Sequence, residues 1–226
     1  MKKLKTAVLF SGGKDSCLAL YYALKFSDMK CLISLISKNP ESYMFHTPNI
    51  KFTEIQAKVI GLPIIQQKTK GEKELELKDL EKAIKKAKSK YKIKGIVTGA
   101  IESVYQASRI QKICKKLKIE CFNPIWQKDQ FELLEEIVKL KFDVIVVGVF
   151  AQDLENFLGR KIDKSYIEDI KKIHAKHKIN PAGEGGEFET FVVNAPFFKK
   201  KLKIEKSHVK KDKEGGRVLV FDRLVI

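Results

Sequence analysis

No stretch of this 226-residue chain strings together enough uncharged apolar residues to cross a bilayer. The basic start, Met1-Lys2-Lys3-Leu4-Lys5, leads into an apolar run that stops at Ser11-Gly12-Gly13. That run is too short for a signal peptide and lacks a small-residue cleavage site. A soluble, cytoplasmic protein with no membrane partner is expected. Glycine and proline are scarce, at 13 and 6, which excludes collagen-like or linker character, and 44% hydrophobic residues exclude intrinsic disorder. The four cysteines, Cys17, Cys31, Cys114 and Cys121, form no C-x-x-C pair and lie in or beside apolar segments. They read as buried reduced thiols rather than as a disulfide framework, a zinc site or an iron–sulfur site. Arginine is nearly missing: Arg109, Arg160, Arg217 and Arg223 are all there is among 45 cationic residues. Proteins that read bases closely lean on the arginine fork, so the net charge of +17 points first to solvated lysine faces. The charge favours acidic or polyanionic encounters, but nucleic acid is not expected as a partner.

From residue 4 to about 150, short apolar runs alternate with amphipathic stretches. Strands are predicted at Thr6–Phe10, Cys31–Ile36, Pro63–Gln66, Gly95–Gly99, Glu120–Phe122 and Val144–Val149. Helical periodicity appears at Cys17, Leu20, Tyr21 and Leu24, at Leu77, Leu80, Ile84 and Ala87, and at Ile110, Ile113, Cys114 and Leu117. Such repetition predicts an α/β fold, a Rossmann-like parallel sheet with helices on both faces and ligands at the carboxyl ends of its strands. Beyond residue 150 the rhythm changes. A helix near Ser165–Ile173 precedes a glycine-rich segment over 180–186, an apolar run at Phe188–Val193, and two runs, Leu202–Ile204 and Val218–Ile226, flanking a turn at Gly215-Gly216. Antiparallel pairing is expected there, in a smaller C-terminal α+β portion. The division is placed at 1–125 and 126–226, with the boundary anywhere from 120 to 150.

The sharpest local feature is Ser11-Gly12-Gly13-Lys14-Asp15-Ser16, set between the first strand and the first helix. Glycines permit a tight turn and close approach of backbone to ligand, and a helix N-terminus offers free N–H groups to phosphate. Ser11 and Ser16 add hydroxyl donors, and Lys14 adds a positive charge. Asp15 beside a phosphate would be repulsive unless a cation lay between them, which suggests Mg²⁺. The spacing fits neither a Walker A loop nor a dinucleotide fingerprint. A second acidic feature, Gly183-Glu184-Gly185-Gly186-Glu187-Phe188-Glu189-Thr190, crowds three carboxylates around two glycines before a strand. That is poor for folding alone, and it reads either as an exposed turn or as an acidic edge for a cationic group or metal. His174 and His177, three apart, read as surface residues for want of a further ligand, and His208 carries no role.

The S-G-G-x-D-S loop after the first strand resembles the N-type ATP pyrophosphatases. With Glu41-Ser42-Tyr43-Met44-Phe45-His46-Thr47-Pro48-Asn49, the acidic segment and Ala195-Pro196-Phe197-Phe198, the whole chain looks like the diphthine–ammonia ligase family. Thr98-Gly99-Ala100-Ile101, Tyr105-Gln106 with Arg109, and Asn123-Pro124-Ile125-Trp126 extend the resemblance. The resemblance implies the short archaeal form, without the extra C-terminal domains that eukaryotic relatives carry.

The resemblance implies ATP as co-substrate, Mg²⁺ as metal, ammonium as nitrogen source and the diphthine form of elongation factor 2 as protein substrate. It implies an acyl-adenylate, with diphthamide, AMP and pyrophosphate as products. Lys14 and Asp15 would be catalytic. Ser11, Gly12, Gly13, Ser16, Ser37, Tyr43, His46 and Gly99 would complete the ATP site, with Asp15 on Mg²⁺. Tyr105, Gln106, Arg109, Glu184, Gly185, Gly186, Glu187, Glu189 and Thr190 would bind the substrate. The oligomeric state stays open, a homodimer included. An alternative within the same chemistry is a tRNA-modifying ATP pyrophosphatase that adenylates a base carbonyl; the lysine count supports it and the lack of catalytic cysteine pairs opposes it.

Overall fold

A computed structural model describes residues 2–37, 48–72, 74–211 and 215–226; Tyr43 and His46 lie outside the described residues. Five short apolar runs become the parallel strands β1 (Leu4–Leu9), β2 (Ser27–Ser37), β3 (Ile64–Thr69), β4 (Gly95–Val97) and β5 (Glu120–Phe122), in the order β3-β2-β1-β4-β5. Successive side chains on a strand face opposite ways, and the core follows that alternation. Val8, Leu32 and Val97 pack with α1 (Lys14–Phe26) and α2 (Thr53–Ile60), while Ala7, Cys31, Ile33 and Ile96 pack with α3 (Glu76–Tyr91) and α4 (Val104–Lys116). Helices thus cover both faces. The chain runs outward from β1 to β3 and then returns to β4 on the other side of β1. That reversal leaves the loops after β1 and β4 side by side, forming the crevice where parallel sheets take ligands.

The sixth apolar run does not extend this sheet. After α5 (Gln130–Lys139), β6 (Asp143–Val149) pairs antiparallel with β7 (Phe188–Asn194) and with β9 (Arg217–Val225), and β8 (Lys203–Lys211) closes the edge in the order β7-β6-β9-β8. The expectation that Val144–Val149 continued the strand–helix alternation is corrected here. An unbroken apolar strand signals that both faces are covered, not the direction of its partners. One face of β6 packs Val144, Val146 and Val149 against α5 and α6 (Lys164–His177), and the other sets Val147 with Phe191 and Phe221. β8 is exposed almost throughout and carries Lys203, Lys206, Lys210 and Lys211, the charged edge that discourages pairing with another chain. The two sheets meet at the first loop, where the Val192 N–H of β7 donates to the Gly12 carbonyl at 2.9 Å.

Candidate active site

The loop between β1 and α1 is held by its own hydroxyls. Ser16 Oγ donates to the Gly13 carbonyl at 3.1 Å, Ser11 Oγ donates to Ser16 Oγ at 3.2 Å, and the Gly13 N–H reaches Ser11 Oγ at 3.4 Å. Gly12 sits at φ +81°, a conformation glycine adopts without strain, and this turn lets the helix begin at once. Gly13 occupies the N-cap without any side-chain cap, and the Lys14 N–H is met across the crevice by Thr190 Oγ1 at 3.1 Å. Gly99, after β4, lies so close that a Cβ there would come within 2.8 Å of the Asp15 carbonyl carbon and of the Ser16 nitrogen. Backbone therefore replaces side chain where the β1 and β4 loops meet.

Lys14 is only 4% exposed, and its Nζ pairs with Asp15 Oδ2 at 2.8 Å. Burial works to lower its pKa, but Asp15, Glu184 and Glu189 together outweigh burial and hold the ammonium above its ordinary range. Asp15 Oδ1 is buried without a hydrogen-bond partner. A lone buried carboxylate oxygen facing a phosphate-type loop fits a hard cation whose remaining ligands are phosphate oxygens and water. Among the described residues no group of three or more His, Cys, Asp or Glu side chains is set to hold a metal ion, so Asp15 would act without further protein carboxylates in its shell.

Opposite this loop stands the acidic segment. Glu184 is pushed up to about 7, by burial first and then by Asp15, against the pull of Lys14 and of a hydrogen bond from the Glu102 backbone. Glu189 on β7 is likewise pushed up to about 7, by burial, with Lys14 opposing and Asp15 and Glu184 adding to the shift. Glu187 turns back into its own loop: Oε1 accepts from the Asn180 N–H at 2.7 Å and Oε2 from the Gly185 N–H at 2.9 Å. Asn180 Oδ1 in turn accepts from the N–H groups of Ala182 and Glu184, at 3.0 and 3.1 Å. The segment is therefore braced by two side chains so that Glu184 faces inward.

One cavity of about 540 Å³ unites these parts. Ser11, Gly13, Lys14, Asp15, Ser16 and Gly99 line it on one side, with Glu184, Gly185, Gly186, Glu189, Thr190 and Gln106 on the other. Leu9, Ile33, Leu35 and Ile50 add an apolar end, and Phe188 places its ring 5.7 Å from Lys14 Nζ. Several candidate residues stand elsewhere. Gly12 lies behind the loop, Ser37 ends β2, and Glu187 serves the loop. Tyr105 and Arg109 stack on each other at 3.4 Å and share Glu74, which accepts from the Tyr105 hydroxyl at 3.0 Å and from Arg109 Nε at 2.7 Å. Sequence reasoning missed Thr98 and Ser103 in the wall, although Ser103 is a recognisable N-cap whose Oγ accepts from the Gln106 N–H at 3.3 Å. It also missed Gln56, a buried amide on a short helix that carries no motif. The histidines are engaged apart: His174 Nδ1 with the Ile179 carbonyl and His177 Nε2 with Asp153, each at 2.6 Å.

Residues 4–121 match the diphthamide synthase N-terminal domain and residues 129–224 match the diphthamide synthase C-terminal domain. A protein of Bos taurus named diphthine–ammonia ligase is 29% identical over 91% of this chain and 85% of its own length. The Schizosaccharomyces pombe protein of that name is 28% identical over 94% of this chain but only 38% of its own, so extra length marks the yeast relative and not the bovine one. A Methanocaldococcus jannaschii structure, described as a predicted subunit of tRNA methyltransferase, superposes with a TM-score of 0.45 at 19% identity, over 85% of this chain and 98% of its own. With one family model covering more than half of its residues and a second covering most of the rest, this chain belongs to the diphthamide synthase family.

Proposed function

We propose that the protein amidates the diphthine residue of elongation factor 2, using ATP and ammonia and releasing AMP and pyrophosphate. The observation that carries this reading is a cavity that sets a phosphate-type loop against a carboxylate-bearing wall, in a chain whose relatives are named diphthine–ammonia ligases. Diphthine presents a carboxylate to be activated and a quaternary ammonium that cannot donate a hydrogen bond. Such a cation is gripped by carboxylates and aromatic faces, which Glu184, Glu189 and Phe188 supply.

In this reading residues 1–125 bind the nucleotide and residues 126–226 recognise the substrate. The Gly13 N–H, Ser11 and Ser16 hold the β- and γ-phosphates, and Lys14 neutralises their charge. Gly99 lets the α-phosphate approach the backbone, the apolar end formed by Leu9, Ile33 and Leu35 takes the adenine, and Ser37, Tyr43 and His46 are assigned to ATP as further contacts. Asp15 would hold Mg²⁺, which supplies charge neutralisation at the phosphates. A diphthine carboxylate oxygen attacks the α-phosphorus, the bond to the bridging oxygen breaks, and pyrophosphate departs. Ammonia then attacks the acyl carbon, AMP leaves, and the nitrogen gives up one proton. No protein nucleophile is required, so the protein contributes positioning and electrostatic stabilisation. Gln106 reads the substrate from the wall of the cavity, and Tyr105 and Arg109 do so from beside it.

The test uses elongation factor 2 from cells lacking this activity, with Mg-ATP and ammonium. AMP release matched by carboxyl-to-amide conversion of the modified histidine is expected. AMP without that mass change would transfer the adenylation to another acceptor, tRNA among them, and no AMP would refute the reading.

A further inference from the structure

Gln56 does not line the cavity, yet this fully buried side chain joins α2 and β7 to the phosphate-type loop. From α2 its Nε2 donates to the Gly12 carbonyl at 3.0 Å and to the Val192 carbonyl of β7 at 2.8 Å. The Val192 N–H donates to the same Gly12 oxygen at 2.9 Å, so two donors hold one carbonyl. Because both neighbours of the amide nitrogen are acceptors, the orientation of the amide is fixed, and Oε1 must face the loop. There it is buried without a partner, and a Cβ on Gly12 would overlap it. A buried amide oxygen left unpaired is destabilising, and a helix–strand junction meant only to pack would be served better by an apolar side chain.

The geometry of the peptide group supplies a reason for keeping it. In a trans peptide the C=O of one residue and the N–H of the next point in opposite directions. Pinning the Gly12 carbonyl against Gln56 and β7 therefore turns the Gly13 N–H away from them, and Gly13 is the residue of this pair that lines the cavity. The same amide ties the loop to β7, two residues from Thr190, whose Oγ1 receives the Lys14 N–H. We infer that Gln56 is a positioning residue: it sets the Gly12–Gly13 peptide so that the Gly13 N–H, held only by a long 3.4 Å contact to Ser11 Oγ, turns to the bound nucleotide, and it locks that loop to the strand carrying Glu189 and Thr190. The inference rests on the proposed use of ATP.

The experiment compares wild type with Gln56→Met, close in shape but without donors, and with Gln56→Asn, which keeps the amide but is one methylene too short to reach both carbonyls. Three quantities are read: thermal melting, calorimetric binding of α,β-methylene-ATP, and hydrogen exchange of a peptide spanning residues 11–13. Both variants should melt cooperatively, bind the analogue about 10- to 100-fold more weakly and exchange faster at the loop, as displacement of a positioned group predicts. In turnover kcat should fall while KM for the protein substrate holds. Binding and exchange unchanged in Gln56→Met would overturn the inference, and so would failure of both variants to fold, which would make Gln56 part of the framework. If wild type itself binds no analogue, the reading of the site as nucleotide-binding fails instead.

Discussion

Gly99→Ala is the perturbation that most directly probes the crevice between the β1 and β4 loops. The new methyl carbon would lie 2.8 Å from the Asp15 carbonyl carbon, 2.8 Å from the Ser16 nitrogen and 2.9 Å from the Asp15 oxygen. These distances fall about 0.7 Å inside ordinary contact, and all three atoms are backbone, so no rotamer change can relieve them. The first turn of α1 must back away from β4, taking Lys14, Asp15 and Ser16 with it. Overpacking of this kind costs about 1–3 kcal/mol, equivalent to about 2–4 °C of melting temperature per kcal/mol for a chain of this size. The functional effect should be larger, since a displacement under 1 Å of groups that orient a phosphate can lower turnover about 100-fold. Gly95→Ala supplies the control at the other end of the same strand: its methyl would meet the Phe122 ring at 2.8 Å and Leu4 Cδ2 at 3.4 Å, both side-chain atoms remote from the loop. Melting by differential scanning fluorimetry and AMP release with saturating protein substrate should therefore separate the two. Gly99→Ala should lose kcat/KM for ATP well beyond its loss of stability, and Gly95→Ala should lose stability alone. Wild-type kcat/KM in Gly99→Ala, or equal losses in both variants, would refute the idea that the phosphate-type loop rests on this close approach.

The remaining predictions concern the charged groups. Burial lifts Glu189 from 4.5 to about 7, so the folded protein keeps a proton that the unfolded chain has already released. That contribution to stability is full below about pH 4.5 and is lost as pH rises through 7, to the extent of about 3 kcal/mol. Glu189→Gln should flatten the decline in urea-unfolding free energy between pH 5 and 8, and parallel curves for variant and wild type would contradict the burial assignment. Glu187→Gln sets an amide NH₂ against the Asn180 or the Gly185 N–H, leaving a donor unmet at about 1–3 kcal/mol. Its KM for the protein substrate should rise while binding of an ATP analogue holds, and an equal loss of both would place the segment at the nucleotide. Asp15→Asn keeps the shape but removes the charge at the unpaired Oδ1, so the Mg²⁺ concentration giving half-maximal AMP release should rise about tenfold or more. An unchanged Mg²⁺ dependence would remove Asp15 from the metal.

What could be read in advance followed from local physics. Short apolar runs alternating with 3.6-residue periodicity determine a layered parallel sheet, and a glycine loop between the first strand and the first helix determines where that sheet takes its ligand. The antiparallel pairing expected between Leu202–Ile204 and Val218–Ile226 is present in β8 and β9, but the rest of β8 carries no hydrophobic alternation because it is exposed on both faces at the sheet edge. α2 spans only eight residues, too few to display a clear helical period, whereas α5 has an apolar face in Leu133, Leu134 and Ile137 that was legible. The direction of β6 was not legible, because burial on both faces says nothing of which way its partners run.

The acidic segment shows a different limit. Its three carboxylates look equivalent in sequence, but backbone N–H groups of its own loop capture Glu187, while Glu184 and Glu189 are turned toward Lys14. Which carboxylate binds a cation and which only shapes the loop depends on the nearest unpaired donors, and those are set by a turn closed from Asn180, four residues before the first of the three. Gln56 is more remote still, since its importance arises only where α2, β7 and the first loop converge. A motif records the residues that touch the ligand; the groups that aim them are fixed by hydrogen-bond demands of backbone far away in sequence, and those become visible only once the sheets are assembled.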